Sequence, residues 1–204
     1  MAPPRFPTVT LMQPTLVHRP FHRDGLIFEE KVDGYRMVAY KTDRSVKLVS
    51  RQGIDHTARY PHIVAAIRAM SAPTLILDGE LAIYDQKLIS RFEWLRRRQP
   101  PDVATPPLFM AFDCLYCRGQ DLRPRPLATR RNVLEDVLDG QDLVLPVRRL
   151  ADDGLAAWRQ VLERGWEGLV AKDAASPYVG GRTLKWLKVK QPKYREKERG
   201  FYKP

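Results

Sequence analysis

The chain has 204 residues, which suits one medium-sized domain that buries roughly 70% of its unfolded surface. Apolar residues make up 44% and charged residues 29%, so a disordered chain is excluded, and no apolar run approaches the roughly 20 residues of a membrane span. The first 20 residues contain five prolines and lack the apolar stretch of a signal peptide. Two cysteines are too few for a secreted disulfide framework, so a cytoplasmic protein is expected.

The charge is unevenly distributed along the chain. The formal net charge is +11, and residues 182–204 contribute +7 of it. Such a basic segment suits phosphate groups, either of a nucleotide or of a nucleic-acid backbone. The alternative is a solvated basic tail.

Hydrophobic patterning predicts more strands than helices. Short apolar runs bounded by turn residues predict strands at 26–30, 36–41, 46–50, 74–77, 81–84, 108–116, 143–147, 169–172 and 184–190. Helical periodicity predicts helices at 61–70, 129–139 and 153–164, and is compatible with another at 90–98. The prolines of 99–107 predict a loop. Because strands rarely alternate with helices, we predict an antiparallel-sheet-rich α+β fold rather than a doubly wound parallel sheet.

The segment around Lys31 carries the clearest chemical signal. It reads Glu29-Glu30-Lys31-Val32-Asp33-Gly34-Tyr35-Arg36, so a predicted strand delivers Lys31 to a turn at Asp33-Gly34. A cationic neighbour such as Arg36 disfavours the ammonium form of a lysine, which is one way to make an amine nucleophilic near neutral pH. We therefore predict that Lys31 is held uncharged by positive neighbours. The alternative is a surface hairpin with ordinary charges.

Further motifs follow Lys31 in order along the chain. They are Ser50-Arg51-Gln52-Gly53, Leu77-Asp78-Gly79-Glu80-Leu81, Ala111-Phe112-Asp113, Pro126-Leu127 with Arg130-Arg131, Glu167-Gly168-Leu169-Val170-Ala171-Lys172, Ser176-Pro177-Tyr178 and Trp186-Leu187-Lys188-Val189-Lys190. With them the chain resembles the covalent nucleotidyltransferases, and among these the ATP-dependent DNA ligases, especially the compact bacterial repair type. The resemblance implies that Lys31 attacks the α-phosphorus of ATP and holds AMP as a lysyl phosphoramidate. AMP would then pass to a DNA 5′-phosphate, and a 3′-hydroxyl would displace it and seal the nick.

The resemblance assigns the basic residues to the nucleotide. Lys188 and Lys190 are two positions apart on a predicted strand, so both face the same side and are expected to grip the α-phosphate. Arg36 and Arg51 are expected to contact ribose or phosphate, because a guanidinium donates several fixed hydrogen bonds. Ordinary solvated surface positions are the alternative for these side chains.

The resemblance assigns the remaining site residues to the metal, the ribose and the base. Glu80, which we predict to follow a tight Asp78-Gly79 turn, resembles the ribose-binding acid and is also expected to reach Mg²⁺ or Mn²⁺. Glu167 resembles the acid that binds the divalent metal. Phe112 resembles the aromatic residue that stacks on adenine, and Glu29 is expected to accept a hydrogen bond from the adenine amino group. Structural ion pairs for Glu80 and Glu167 and a core position for Phe112 are the alternatives.

The resemblance also sets expectations for domains and partners. Residues 1–190 are expected to form the nucleotidyltransferase domain, and 191–204 a basic tail or a truncated linker to an absent OB-fold domain. The chain is then either an excised domain or a naturally minimal protein, and without an OB domain its reaction with ATP should be slow. The expected partners are nicked double-stranded DNA and a separately supplied OB domain or other repair proteins, with no membrane, in the bacterial cytoplasm on the nucleoid. The alternatives are an RNA ligase, a capping-type nucleotidyltransferase, and a non-catalytic DNA-binding remnant of the same fold.

Two other signals are assigned no chemistry. Cys114 and Cys117 lie on one predicted strand, where we expect them to point to opposite faces and not to bind zinc. Trp158 and Leu162 are spaced as on one helix face and are predicted to belong to the core.

Overall fold

The computed structural model describes residues 9–97, 102–192 and 194. Within these ranges the strands are β1 (Met12–Leu16), β2 (Leu26–Glu30), β3 (Tyr35–Lys41), β4 (Val46–Ser50), β5 (Leu75–Ala82), β6 (Leu108–Cys117), β7 (Gln120–Asp121), β8 (Val144–Pro146), β9 (Gly168–Asp173) and β10 (Gly181–Lys190). The helices are α1 (Pro61–Ala69), α2 (Leu127–Leu138) and α3 (Gly154–Arg164), and short 3₁₀ helices cover Thr57–Arg59 and Phe92–Arg96.

The strands form two sheets. The smaller sheet has the order β1-β10-β9-β2, and the larger has the order β4-β3-β5-β6-β7, with β8 added beside β6. Pairing is antiparallel except between β1 and β10 and between β6 and β8. The prediction of an antiparallel-sheet-rich α+β fold is confirmed.

Helices cover the outer faces of the sheets, and the inner faces meet. Ile63 and Ile67 of α1 and Leu134 of α2 pack into the core of the larger sheet. Val161 of α3 packs against the smaller sheet. A third cluster between the sheets contains Met12, Val38, Ile76, Leu115, Tyr178 and Trp186. The sheets therefore face each other across a seam that is apolar at one end.

The two strands predicted at 74–77 and 81–84 are one continuous strand, β5, so the predicted tight turn at Asp78-Gly79 is wrong. Gly79 has a packing role instead. A Cβ atom at this position would lie 2.7 Å from the Phe109 ring and 2.8 Å from the Met110 carbonyl oxygen. Only glycine permits this close approach of β5 to β6.

Two predictions about side-chain direction are also wrong. The pairing of β5 with β6 matches Ile76 to Tyr116 and Leu77 to Cys114, so Leu115 is an extra, bulged residue. The bulge turns Cys114 and Cys117 toward the same core cluster rather than to opposite faces. Leu162 is 49% exposed on α3, because Val161 supplies the inward side chain of that turn.

Other parts of the chain depart from the predicted pattern in smaller ways. Strands β1 and β7 were not predicted, and 92–96 forms a 3₁₀ helix rather than a full helix. Of the predicted loop 99–107, residues 99–101 lie outside the described residues. Of the predicted tail 191–204, the structure describes 191, 192 and 194, and Gln191 donates to the carbonyl oxygens of Val161 and Trp166. The domain boundary at 190 stays a prediction.

Candidate active site

A cleft opens where the two sheets separate. It has about 770 Å³ of empty space, part of it open to solvent. Strands of both sheets contribute to its walls, so its side chains come from distant parts of the sequence. The lining residues are Pro14, Glu29, Glu30, Lys31, Val32, Arg36, Arg51, Glu80, Phe112, Val147, Val170, Lys172, Trp186 and Lys188. Of the predicted site residues, Lys190 and Glu167 are absent from this lining.

Glu167 holds two lysines at once. Its Oε2 atom accepts a hydrogen bond of 2.6 Å from Lys31 Nζ, and its Oε1 atom lies 2.9 Å from Lys190 Nζ. The sheet order explains the arrangement, because β9 pairs with both β2 and β10, and Glu167 immediately precedes β9. The backbone N–H of Lys31 also donates to the Gly168 carbonyl oxygen. Glu167, predicted to bind metal, therefore contacts both Lys31, the predicted nucleophile, and Lys190, a predicted nucleotide contact.

The prediction that positive neighbours keep Lys31 uncharged is wrong for this state of the protein. Burial alone would lower the pKa of Lys31, but the carboxylates of Glu167 and Glu80 outweigh it and raise the pKa above its ordinary value. Arg36 instead faces the carboxylate of Asp78. Lys31 therefore rests as an ammonium ion paired with Glu167, and its proton must be removed before the amine can attack a phosphorus atom.

Glu80 and Asp33 carry perturbed carboxyl groups near Lys31. Burial raises the pKa of Glu80 to about 8 and that of Asp33 to about 6. Gly34 brings the Lys31 loop against β5, where a Cβ atom would lie 2.2 Å from the Leu81 carbonyl oxygen and 2.8 Å from Glu80 Cγ. The pKa of Glu80 shows that its negative charge is incompletely neutralised by the surrounding protein.

The arginines are placed differently in the cleft. Arg36 is mostly buried and donates to both carboxylate oxygens of Asp78, at 3.1 and 2.7 Å. Arg51 is exposed just after β4 and donates from Nη2 to Gln13 Oε1 at 3.1 Å. Arg36 is therefore fixed, whereas Arg51 lies at the solvent edge.

One wall of the cleft combines aromatic rings with a buried ion pair. Phe112 meets Trp186 edge to face, with ring centroids 6.0 Å apart. Lys172 Nζ lies 4.3 Å from each of these two ring centroids and 2.5 Å from Glu29 Oε2. The other oxygen of Glu29 lies 3.3 Å from Arg131 Nη1. Glu29 and Phe112 therefore both approach Lys172 on this wall, and their assignment to the base stays a prediction.

Lys172 is a cleft residue to which sequence reasoning assigned no role. It is 2% exposed and lines the cleft together with Val170, two positions earlier on β9. Burial lowers its pKa, and Glu29 only partly offsets this effect. The sequence did contain a signal that Lys172 faces the cleft. Lys172 comes two positions after Val170 at the end of a predicted strand, so the two side chains face the same side of the sheet.

The carboxylates offer a partial ligand set for a metal ion. Among residues 9–97, 102–192 and 194, no three His, Cys, Asp or Glu side chains are grouped closely enough to hold a metal ion by themselves. Glu80 and Glu167 nevertheless fit a hard cation such as Mg²⁺, which commonly takes only one or two carboxylates and completes its shell with phosphate and water. The raised pKa of Glu80 supports this fit, because a cation would favour its ionised form.

Comparison with known proteins supports the same interpretation. A family model described as the ATP dependent DNA ligase domain matches residues 11–190. The multifunctional non-homologous end joining protein LigD of Pseudomonas aeruginosa is 34% identical over 179 residues, which cover 86% of this chain and 21% of LigD. The SPbeta prophage-derived DNA ligase-like protein LigB of Bacillus subtilis is 30% identical over 191 residues, which cover 91% of this chain and 69% of LigB.

A solved structure of mycobacterial DNA ligase D complexed with ATP and MES has a similar fold. Its TM-score is 0.77 at 30% identity, and the match covers 89% of this chain and 60% of that one. The fold and cleft are therefore those of a nucleotidyltransferase domain. Within this class, the chain belongs to the family of ATP-dependent DNA ligase domains. Membership favours the DNA ligase prediction over the RNA ligase and capping alternatives.

The chain spans about a fifth of the length of the LigD relative from Pseudomonas aeruginosa. It therefore matches one part of that larger protein. In the portion of the chain that the structure describes, no helix is long and apolar enough to cross a membrane.

Proposed function

We propose that this chain carries out the chemistry of an ATP-dependent DNA ligase and holds AMP on Lys31. The contact that carries this proposal is the one between Lys31 Nζ and Glu167 Oε2, 2.6 Å apart beside the cleft. In the first step the Lys31 amine forms a bond to the α-phosphorus of ATP, and the bond to the pyrophosphate oxygen breaks. An oxygen of a DNA 5′-phosphate then attacks the same phosphorus and releases Lys31. Finally a DNA 3′-hydroxyl attacks the 5′-phosphorus and displaces AMP, which seals the nick.

Glu167 determines how readily Lys31 loses its proton. It receives a hydrogen bond from that ammonium group, and Lys190 on its other oxygen stabilises its negative charge, so the proton passes from Lys31 to solvent rather than to Glu167. We therefore assign Lys190 to the Lys31–Glu167 pair rather than to direct contact with the phosphate. Lys188, which lines the cleft, remains the proposed contact to the α-phosphate.

The nucleotide is oriented by the two walls of the cleft. Phe112 offers a ring face to adenine, and the buried Glu29–Lys172 pair beside it can accept and donate hydrogen bonds at the edge of the base. Arg36 and Arg51 lie where they can meet ribose or phosphate oxygens. Positioning and charge neutralisation of this kind supply most of the acceleration in phosphoryl transfer.

Glu80 and Glu167 are the residues that would hold Mg²⁺ or Mn²⁺. Such a cation would supply charge neutralisation at the phosphates, and it would reduce the carboxylate charge that keeps Lys31 protonated. Glu80 is suited to this role because burial raises its pKa to about 8, and a nearby cation would favour its ionised form.

The proposed DNA substrate is a nicked duplex with a 5′-phosphate. The net charge of +11 favours a nucleic-acid backbone, and binding should weaken steeply as salt concentration rises. LigD is named for non-homologous end joining, and we propose a related repair role for this chain, on the bacterial nucleoid and with an OB-fold domain or other repair proteins as partners.

A sealing assay tests this proposal. The chain is incubated with ATP, Mg²⁺ and a labelled duplex that carries one nick, either in DNA or in RNA. We expect AMP-capped and sealed products from nicked DNA, none from the Lys31→Ala variant, and normal products from Lys185→Ala, since Lys185 forms an exposed ion pair with Asp173. Preferential sealing of RNA, or equal activity of Lys31→Ala, would refute the proposal.

A further inference from the structure

We propose that Tyr178 is a positioning residue that fixes the Arg36 guanidinium in the cleft. Tyr178 lies in the loop between β9 and β10 and is 6% exposed. Its hydroxyl donates to Asp78 Oδ2 at 2.6 Å and accepts from the Met12 backbone N–H at 3.0 Å. The inference rests on the proposed function, because the placement of Arg36 matters for catalysis only if the cleft holds a nucleotide.

The hydroxyl closes a ring of hydrogen bonds around Arg36. Arg36 donates from Nε and Nη2 to the two carboxylate oxygens of Asp78, and from Nη2 to the Met12 carbonyl oxygen at 2.7 Å. Met12 therefore bonds to Arg36 through its C=O and to Tyr178 through its N–H. The ring joins β1 of the smaller sheet to β3 and β5 of the larger one, so it ties the two walls of the cleft together.

Tyr178 itself is held on several sides. Its ring lies 5.8 Å from the Arg130 guanidinium carbon and meets Trp186 edge to face at 5.8 Å. Arg130, which is fully buried, donates to the Ser176 carbonyl oxygen in the same loop and to both oxygens of Asp113. These contacts give a physical role to Arg130 and to the Ser176-Pro177-Tyr178 motif, which the proposed chemistry leaves unused.

The protonation state of the Tyr178 hydroxyl fixes the direction of its hydrogen bond to Asp78. Burial and the neighbouring Asp78 carboxylate raise the pKa of Tyr178, so the phenol keeps its proton and donates it to Asp78. Asp78 Oδ2 accepts from Tyr178 and Arg36 together, which prevents rotation of the carboxylate. The guanidinium is thereby held with its carbon 5.3 Å from the centre of the Phe112 ring, at the wall assigned to the base.

The change Tyr178→Phe tests the inference because it removes only the hydroxyl. We expect the rate of AMP attachment to Lys31 to fall about tenfold, the order for loss of a hydrogen bond to a charged group. In an Arg36→Gln background the same change should cause no further fall, because residues that act through one another are not additive. The matched control is Tyr60→Phe, in the core beside α1, which should leave the rate unchanged. An unchanged rate in Tyr178→Phe, or an equal tenfold fall in both backgrounds, would overturn the inference.

A second readout does not depend on catalysis. Modification of arginine by phenylglyoxal, mapped by peptide mass, should become faster at Arg36 in Tyr178→Phe and stay slow at Arg130. If the unaltered chain formed no AMP adduct with ATP, the proposed function would be refuted. The rate of Arg36 modification would still test the role of Tyr178. Equal Arg36 modification with and without the hydroxyl would contradict that role.

Discussion

Lys31 Nζ and Glu167 Oε2 are 2.6 Å apart, and the same carboxylate lies 2.9 Å from Lys190 Nζ. One buried acid therefore holds the candidate nucleophile as a cation and keeps a second cation beside it. The geometry that brings Lys31 to the cleft is the same geometry that suppresses its reactivity in the resting state. Activation then consists of shifting this proton away from Lys31 once the nucleotide is bound.

Replacing Glu167 should lower the pKa of Lys31. In Glu167→Gln the carboxylate that raises the pKa of Lys31 most is gone, so this pKa should fall, since burial lowers it and only Glu80 and Asp33 still oppose burial. The measurement is the rate at which an acylating reagent labels Lys31 as a function of pH, followed by peptide mass. The control Glu135→Gln alters a partly exposed acid that pairs with Arg149 and Arg131 but not with Lys31, and it should leave the Lys31 profile in place. A Lys31 profile that is the same in Glu167→Gln would show that the pair does not hold the proton.

The carboxyl of Glu80 should make stability depend on pH. Its pKa is about 8 in the folded protein and 4.5 as the ordinary value, so the folded state binds the proton more tightly than the unfolded state. Its contribution to the free energy of unfolding is therefore present below about pH 4.5 and is lost as the pH rises through about 8. We expect Glu80→Gln to lose less stability than the unaltered chain between pH 5 and about pH 8 in urea titrations. Parallel stability profiles for the two proteins would contradict the pKa assignment.

The sequence predicted the elements better than it predicted contacts across the sheets. Strands β2 and β4 match their predicted bounds because an apolar run and its turn residues are local signals. The charge state of Lys31 was predicted wrongly, because the acid that determines it is 136 residues away and is brought in by β9. The ring that joins Met12, Arg36, Asp78 and Tyr178 depends on the same kind of long-range pairing. Residues within a motif can therefore be found from the sequence. The residues that contact them and determine their charge or orientation can be identified only from the fold.

The packing role of Gly79 also depends on a contact between strands that the sequence does not reveal, and this role can be tested directly. If glycine serves close packing rather than a turn, Gly79→Ala should destabilise the protein by about 1–3 kcal/mol, because the added carbon meets the Phe109 ring and the Met110 carbonyl oxygen. Denaturant unfolding measures this cost. The comparison is Gly119→Asn, where a Cβ atom meets nothing within 4 Å and Asn tolerates the left-handed backbone. A loss at Gly119 as large as that at Gly79 would argue against the packing role.

Lys172, the buried partner of Glu29, should contribute more to the free energy of unfolding than Lys185, an exposed lysine on the neighbouring strand. In Lys172→Met, Glu29 keeps only Arg131 as a buried cation, and we expect a loss of about 3 kcal/mol in the free energy of unfolding. In Lys185→Met an exposed pair with Asp173 is lost, which should cost less than about 1 kcal/mol. Urea titrations of both variants check the contrast, and equal losses would show that the Glu29–Lys172 pair is not an essential part of the cleft wall.

Lys31 is the residue that we propose to carry AMP. Intact mass should be measured before and after incubation with ATP and Mg²⁺, for the unaltered chain and for Lys31→Ala, and the modified peptide should be mapped. We expect one added AMP, located at Lys31, that is absent from Lys31→Ala. An AMP on another lysine, or no adduct after prolonged incubation, would contradict it.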